Sequence, residues 1–282
     1  MKNYKKALVV EGGGQRGVFS FGITDTFIKK SFDPFDIYIG VSNGVAVLCW
    51  YLIRETANNL EKMLYASRGD YINYKNIFTT KDIIKFHQMY EDGERMFNPS
   101  MEKIKKNLRD KKYVAVVTDA INANAEYFLF GDDDDWMSKM IASATLPVLV
   151  RTPSIINGRR KFDGGIVDPL PVQKAYEMGA KQITVIRTYE ASFRRKLKIE
   201  NYIGAFFLSQ YPKLKKALLD HDKTYNRALD FIENPPSDCK IIQLCPPQRL
   251  KSKRDSKNIT LLTSDYELGR NVAEKYLNYL EN

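Results

Sequence analysis

The first 55 residues constrain the fold more than any other part of this chain. "KALVVEG" at 6–12 is a short apolar, β-branched run that ends in glycine, the pattern of a buried strand. From Arg16 to about Lys30, Val18, Phe19, Gly22, Ile23 and Phe27 recur at helical spacing. "DIYIGVS" at 36–42 reads as a second strand, and 43 to about 55 as an apolar helix. Strand–helix–strand–helix in so few residues predicts a parallel sheet covered by helices.

Both strand-to-helix joints are unusual. The first carries Gly12, Gly13 and Gly14, then Gln15, Arg16 and Gly17. Gly12, Gly14 and Gly17 satisfy G-x-G-x-x-G after a strand, which raises the possibility of a dinucleotide loop. That reading also needs an acid at the end of the second strand, and Asp33 and Asp36 come before it. A Walker loop fails because Gly17 is followed by Val18 rather than by lysine.

The second joint is "GVSNG" at 40–44, a G-x-S-x-G pentapeptide between strand and helix. A serine on a sharp turn there projects its hydroxyl, and the new helix favours negative charge beside it. Ser42 is therefore the candidate nucleophile. A serine needs a base. His87 and His221 are the histidines of the chain, and both read as ordinary helix residues. Ser42, Asp163 and His221 stand in the chain order of an α/β-hydrolase triad, yet about one strand precedes Ser42 where that fold has several. The other candidate base is Asp163 in "KFDGG", at a strand end before paired glycines. An aspartate is a weak base in water, and a dry site strengthens its hold on a proton. Asp168 in "IVDPLP" reads instead as a loop-capping carboxylate. The Gly12, Gly13 and Gly14 N–H groups, with that of Asn43, are placed to meet an oxyanion.

Taken in order, "GGGQRG", "GVSNG" and "DGG" resemble the patatin-like phospholipase family, as do "ASATLP" and "DGGIVDPLPV". The resemblance covers about residues 6 to 190, and the tail is similar to a bacterial branch with an extra C-terminal segment. It implies a three-layer α/β/α fold with a mostly parallel sheet, and hydrolysis of lipid acyl esters by a Ser–Asp dyad. It carries the nucleophile onto Ser42, the base onto Asp163 and the oxyanion hole onto Gly12–Gly14. Arg16 is left as either a structural hydrogen bonder or an aid to anion binding. The expected organisation is a catalytic domain over 1–190 and a C-terminal α/β extension over 191–282 packed on it. A binder or scaffold of the same fold that has lost turnover is the alternative.

The remaining chain reads as helices over about 56–110, with Asn98 capping a turn that contains Pro99. Strands follow at 113–121 and 125–130, a helix at 136–145, and a hairpin turning at Asn157-Gly158. A strand at 181–188, a helix over about 200–233, a strand at 239–244 and a final helix over about 264–280 complete the reading. "GDDDDW" at 131–136 lacks the ligand pattern of a calcium loop and reads as a helix cap.

Net charge is +10, gathered in "FRRKLK", "KLKK" and "RLKSKR". No zinc spacing or RNA-binding strand accompanies these clusters, so nucleic acid is not an expected partner. Most of the charge reads as solvated surface, with a weak attraction to an anionic membrane as the specific expectation. The segment 201–219 mixes aromatic and basic residues; packing on the domain is its plainer reading, contact with a membrane its sharper one. Cys49, Cys239 and Cys245 follow no ligand spacing and read as free thiols in a reducing compartment. The expected protein is cytoplasmic or peripheral to the membrane, with a lipid or acyl ester as substrate and no metal or organic cofactor. Nothing in the sequence signals an oligomeric state.

Overall fold

The computed structural model describes residues 4–55, 59–68, 71–73, 75–76, 82–147, 149–150 and 154–281. Strand β1 (Lys5–Val10) leads through a 3-10 turn (Gly14–Gly17) into α1 (Val18–Lys29). Strand β2 (Ile37–Val41) passes directly into α2 (Asn43–Ile53). Three polar-faced helices follow: α3 (Asn59–Arg68), α4 (Phe86–Phe97) and α5 (Met101–Leu108). Next come β3 (Lys112–Asp119), β4 (Ala125–Leu129), α6 (Trp136–Ala144), β5 (Ser154–Ile156) and β6 (Arg159–Asp163). The C-terminal part holds α7 (Val172–Glu177), β7 (Ala180–Ile186), α8 (Ile199–Phe206), α9 (Pro212–Leu219), α10 (His221–Glu233), β8 (Lys240–Leu244) and α11 (Ile259–Glu281).

One sheet of eight strands runs β5-β6-β3-β2-β1-β7-β8, with β4 also on β3. The β3, β2, β1, β7 and β8 strands are parallel; β4 and β6 run antiparallel to β3, and β5 pairs antiparallel with β6. Alternate residues of β1 sort by face: Leu8 and Val10 join the core under α1, α2 and α11, and Ala7 and Val9 the core under α7 and α10. That period of two is what a sheet buried on both faces requires, and the result is a three-layer α/β/α fold. Strand β8 extends the same sheet beside β7, in register from Gln182↔Lys240 to Ile186↔Leu244.

Several expected boundaries move. Ser100, not Asn98, caps α5: its hydroxyl accepts from the Lys103 N–H at 3.2 Å, while Asn98 ends α4 in the left-handed region. The single helix expected over 200–233 is three. Pro212 opens α9 at its first turn, where its missing N–H costs nothing, and it cannot continue α8. The last helix begins five residues earlier than the expected Ser264, at Ile259. The Asn157-Gly158 turn has positive φ at both residues, 52° and 70°, as a two-residue hairpin demands. Pro153 and parts of the expected 56–110 helices lie outside the described residues. Asp135 caps α6, accepting from the Ser138 N–H at 3.2 Å, so the acidic run does end in a helix cap.

Candidate active site

Ser42 sits between β2 and α2 with φ 53° and ψ −130°. This is a conformation that side chains with a Cβ avoid, and holding one there costs on the order of 1–3 kcal/mol. The turn survives because its neighbours have no side chain. A Cβ at Gly44 would stand 2.3 Å from the Val10 carbonyl oxygen, and one at Gly12 would stand 2.7 Å from the Ser42 Cβ. The glycine loop after β1 and the serine after β2 therefore lie in contact at the carboxyl ends of adjacent parallel strands.

The pairing of β3 brings in the base. Strand β2 pairs with β3 over Lys112–Val116, and β4 pairs with β3 over Val114–Thr118. The two share residues of β3, so they occupy opposite edges. Strand β6 pairs with Val117, Thr118 and Asp119, two of which β4 also holds. It must therefore lie on the β2 edge, just beyond the point where β2 stops at Val41. Asp163 is thus set opposite Val117, one residue past the Val41↔Val116 pair that precedes Ser42.

Asp163 is buried, at 4% exposure. Its carboxylate accepts from the Gly165 N–H at 2.7 Å and lies close enough to the Ser42 side chain for that hydroxyl to act on its pKa. Burial raises its pKa to about 6, against the lowering effects of Ser42, the Gly165 N–H and the Arg254 charge. A carboxylate with that proton affinity is better matched to base catalysis near neutral pH than one at its ordinary value.

The Ala142–Pro147 stretch holds both groups in place, in a way that sequence reasoning missed. The Ser143 hydroxyl accepts from the Ser42 N–H at 2.8 Å and donates to the Val116 carbonyl at 2.7 Å. The Thr145 carbonyl accepts from the Asp163 N–H at 2.8 Å, and the Thr118 hydroxyl donates to the Asp163 carbonyl, also at 2.8 Å. The signal was the quoted "ASATLP" box, whose small polar residues have no obvious use until the fold brings them to the elbow.

Because Ser143 takes the Ser42 N–H, other amides remain for an anion. Among the described residues, none accepts from the N–H of Gly12, Gly13 or Gly14. The Asn43 N–H stands in the first turn of α2, where no helical carbonyl can reach it. The Asn43 side chain does a different job, donating to the Gly14 carbonyl at 3.1 Å and tying the two turns together. Arg16, half-buried, lies over Tyr189, its guanidinium carbon 4.0 Å from the ring centre.

The other candidates fall elsewhere. Asp168 accepts from the Tyr127 hydroxyl at 2.7 Å, and burial raises its pKa to about 6. His87 lies on α4, the helix that lines the cavity beside Asn43 through Tyr90, but its Nε2 is buried with no hydrogen-bond partner, so it is not bonded to Ser42 or Asp163 through that atom. His221 begins α10; burial first, then Arg195 and Arg254, lower its pKa to about 3, and its hydrogen bond goes to the Ile166 backbone. An imidazole with so little proton affinity is a poor base. Beside Asn43, an apolar cavity of about 110 Å³ runs between Phe21, Ala46, Met63, Tyr90 and Met140. Among the described residues, no cluster of His, Cys, Asp and Glu could hold a metal ion.

A serine on a strained strand-to-helix elbow, with a buried carboxylate and free loop amides in a three-layer α/β/α sheet, defines a class of α/β protein suited to acyl transfer. The family model described as patatin-like phospholipase matches residues 8–176, and the chain belongs to that family. Membership brings with it a lipid hydrolase in the broad sense. A model described as a domain of unknown function (DUF6363) matches residues 211–282, consistent with an extra C-terminal segment. The uncharacterized protein YjjU of Escherichia coli (strain K12) is 27% identical over 279 residues, covering 96% of this chain and 76% of that protein. The crystal structure of VipD from Legionella pneumophila aligns with a TM-score of 0.44 at 13% identity, covering 98% of this chain and 67% of that one. Among the described residues, no helix is long and apolar enough to cross a membrane.

Proposed function

We propose that the protein is a serine acyl-ester hydrolase that acts on lipids through a Ser42–Asp163 dyad. In this reading the Ser42 oxygen attacks the ester carbonyl carbon while Asp163 takes the hydroxyl proton. The carbonyl oxygen, now negative, turns toward the free N–H groups of Gly12, Gly13, Gly14 and Asn43. Collapse of the intermediate breaks the bond to the alcohol, which leaves with the proton from Asp163, and the acyl group stays on Ser42. Asp163 then draws a proton from water, whose oxygen attacks the acyl-enzyme; the bond to Ser42 breaks, the serine oxygen takes the proton back from Asp163, and the acid is released. The apolar cavity lined by Asn43 is where the acyl chain enters in this reading.

The observation that carries this reading is the buried Asp163 carboxylate, which β6 brings opposite Val117, one residue past the pair that precedes the strained Ser42 elbow. Ser42→Ala and Asp163→Asn should each abolish hydrolysis of a chromogenic acyl ester with the fold intact by circular dichroism. Full activity in Ser42→Ala would end the proposal. A fluorophosphonate probe separates an enzyme from a catalytically dead binder, since only a competent Ser42 is labelled. Replacing His221 with Asn should leave turnover within about twofold, because a group with a pKa of about 3 is not the base.

The same reading places the enzyme at an anionic bilayer surface. Ile199, Tyr202, Ile203, Phe206 and Phe207 are all exposed along α8 and the turn after it. Beside them, Lys213, Lys216, Lys223 and Arg227 line a shallow groove along α9 and α10. Apolar residues flanked by cations match a bilayer of anionic lipid.

A further inference from the structure

We infer that Arg16, Arg195 and Arg254 form a subsite for the phosphate group of the lipid whose acyl bond Ser42 attacks, an inference that rests on the hydrolase reading and names its substrate class. Arg195 and Arg254 lie outside the residues that the family model matches, in the C-terminal part of the chain. The fold nevertheless brings them to the glycine loop.

Arg16 and Arg195 converge on one aromatic surface, and Arg254 joins them at the glycine loop. The Arg16 guanidinium carbon is 4.0 Å from the Tyr189 ring centre and that of Arg195 is 5.3 Å from it. Arg195 also lies 4.3 Å from the Tyr225 ring centre. Tyr189 in turn stacks on Phe193, with centres 3.9 Å apart and planes 7° from parallel. Arg254 is fastened to the glycine loop by its backbone: its carbonyl accepts from the Gln15 N–H at 2.8 Å. Its chain passes so close that a Cβ on Gly14 would stand 2.7 Å from the Arg254 Cγ.

Cations gathered in this way repel, and the protein supplies little to offset them. Among the described residues, no carboxylate forms an ion pair with Arg16, Arg195 or Arg254, whereas neighbouring Arg194 is paired with both Asp230 and Glu233. The buried carboxylate nearest in chain to the loop, Glu11, is already occupied. It accepts from the Thr188 N–H at 2.6 Å, the Thr188 hydroxyl at 3.2 Å and the Tyr225 hydroxyl at 2.8 Å. The Nε–H groups of Arg16 and Arg195 are buried and have no acceptor. Although the residue as a whole is exposed, lost hydration along its packed stem, then Arg16 and Arg195, hold the Arg254 pKa below its ordinary value, and Tyr189 and Asp163 act in the opposite sense. The cluster therefore lies within electrostatic reach of the dyad. A phosphate offers several acceptor oxygens and negative charge to such donors, and arginine forks match it in geometry. A neutral glyceride offers neither.

The test separates binding from turnover. In the Ser42→Ala protein, glycerol 3-phosphate should bind by titration calorimetry and glycerol should not, and Arg195→Gln or Arg254→Gln should each weaken binding roughly tenfold or more. Absence of glycerol 3-phosphate binding overturns the subsite whatever the enzyme hydrolyses. In the wild type, kcat/KM for a lysophosphatidate should exceed that for the monoacylglycerol with the same chain. The ratio should fall roughly tenfold in either arginine variant, with partial recovery in Arg195→Lys. A ratio that the variants do not move overturns the inference, since a structural role would lower both substrates together. If inorganic phosphate binds as tightly as glycerol 3-phosphate and the ratio is near one, the site takes free phosphate and the headgroup assignment fails. If glycerol 3-phosphate binds but neither lipid is cleaved, the hydrolase reading fails while the phosphate site stands.

Discussion

At the scale of single residues, the site depends on a carboxylate held where it is uncomfortable. Asp163 has a folded pKa of about 6, raised by burial, against about 3.9 in an unfolded chain. Two consequences follow with opposite signs. As the proposed base it must be ionised, so kcat/KM for a neutral chromogenic ester should fall about tenfold per pH unit below pH 6, in a pH–rate profile. For stability, a raised carboxyl favours the folded state at acid pH, and that contribution is lost as pH rises through about 4 to 6. At pH 8 the charge therefore costs the native state on the order of 2–3 kcal/mol. Asp163→Asn should then be inactive yet raise Tm at pH 8, with the gain shrinking toward pH 4. Its amide oxygen can still accept from Gly165. Ser143 gives a second expectation. Without its hydroxyl the Ser42 N–H loses its partner and the elbow is free to shift, so Ser143→Ala should lower kcat roughly tenfold to a hundredfold at little change in KM. Steady-state kinetics on the same ester checks both numbers. Ser42 and Asp163 were legible because strand, glycine and turn signals all surround them. Ser143 was not, because a hydrogen bond spanning 101 residues leaves no local pattern.

At the scale of elements, the βαβα opening was plain in the sequence because buried parallel strands and their helices carry strong periodicity. The packing of α1 against α11 was not, since it joins the two ends of the chain. The crossing is close: a Cβ at Gly269 would stand 2.1 Å from the Phe19 carbonyl oxygen, and one at Gly22 equally near that of Tyr266. The Tyr266 hydroxyl reaches across to the Asp25 carboxylate at 2.6 Å. Gly269→Ala gains up to about 1 kcal/mol of helix propensity and loses more by forcing two backbones apart, typically 1–3 kcal/mol and here at the upper end. The expected net loss of about 1–2 kcal/mol should appear as a Tm lower by several degrees. Thermal unfolding of the variant checks this, and a higher Tm would mean that the helices are not held at that distance. The splitting of 199–233 into three helices illustrates the reverse case. Pro212 marked a break, but amphipathic patterns on either side of it blurred into one long helix until packing separated them.

At the scale of the molecule, the cationic and apolar surfaces lie beside the strand that carries Asp163. Leu208 and Leu214, from the α8–α9 region, are buried with Phe162 and Ile166, which flank Asp163 in the chain. Segment 201–219 satisfies the packing expectation on one side, while Tyr202, Ile203, Phe206 and Phe207, with Ile199 before them, remain outside; contact with a membrane is the proposal those exposed residues support. Composition showed the aromatic and basic residues together, and only the fold shows which of them point outward. Phe206 is 77% exposed, an arrangement that costs solubility unless the surface meets something apolar. A bilayer would bury these rings, and lysines near it would each add about 1 kcal/mol with anionic lipid. The wild type should sediment with phosphatidylglycerol vesicles far more than with phosphatidylcholine vesicles, and added salt should weaken the difference. Phe206→Ser with Phe207→Ser should reduce vesicle binding tenfold or more at low and high salt alike, because it removes apolar burial. Lys213→Gln with Lys216→Gln should reduce it only on anionic vesicles at low salt. Turnover of a soluble ester is a fair control for the phenylalanine pair, since those rings lie outside the dyad, the loop and the acyl cavity. Loss of that control activity would point to damage to the fold, and unchanged vesicle binding would show that the exposed helix is not the docking face.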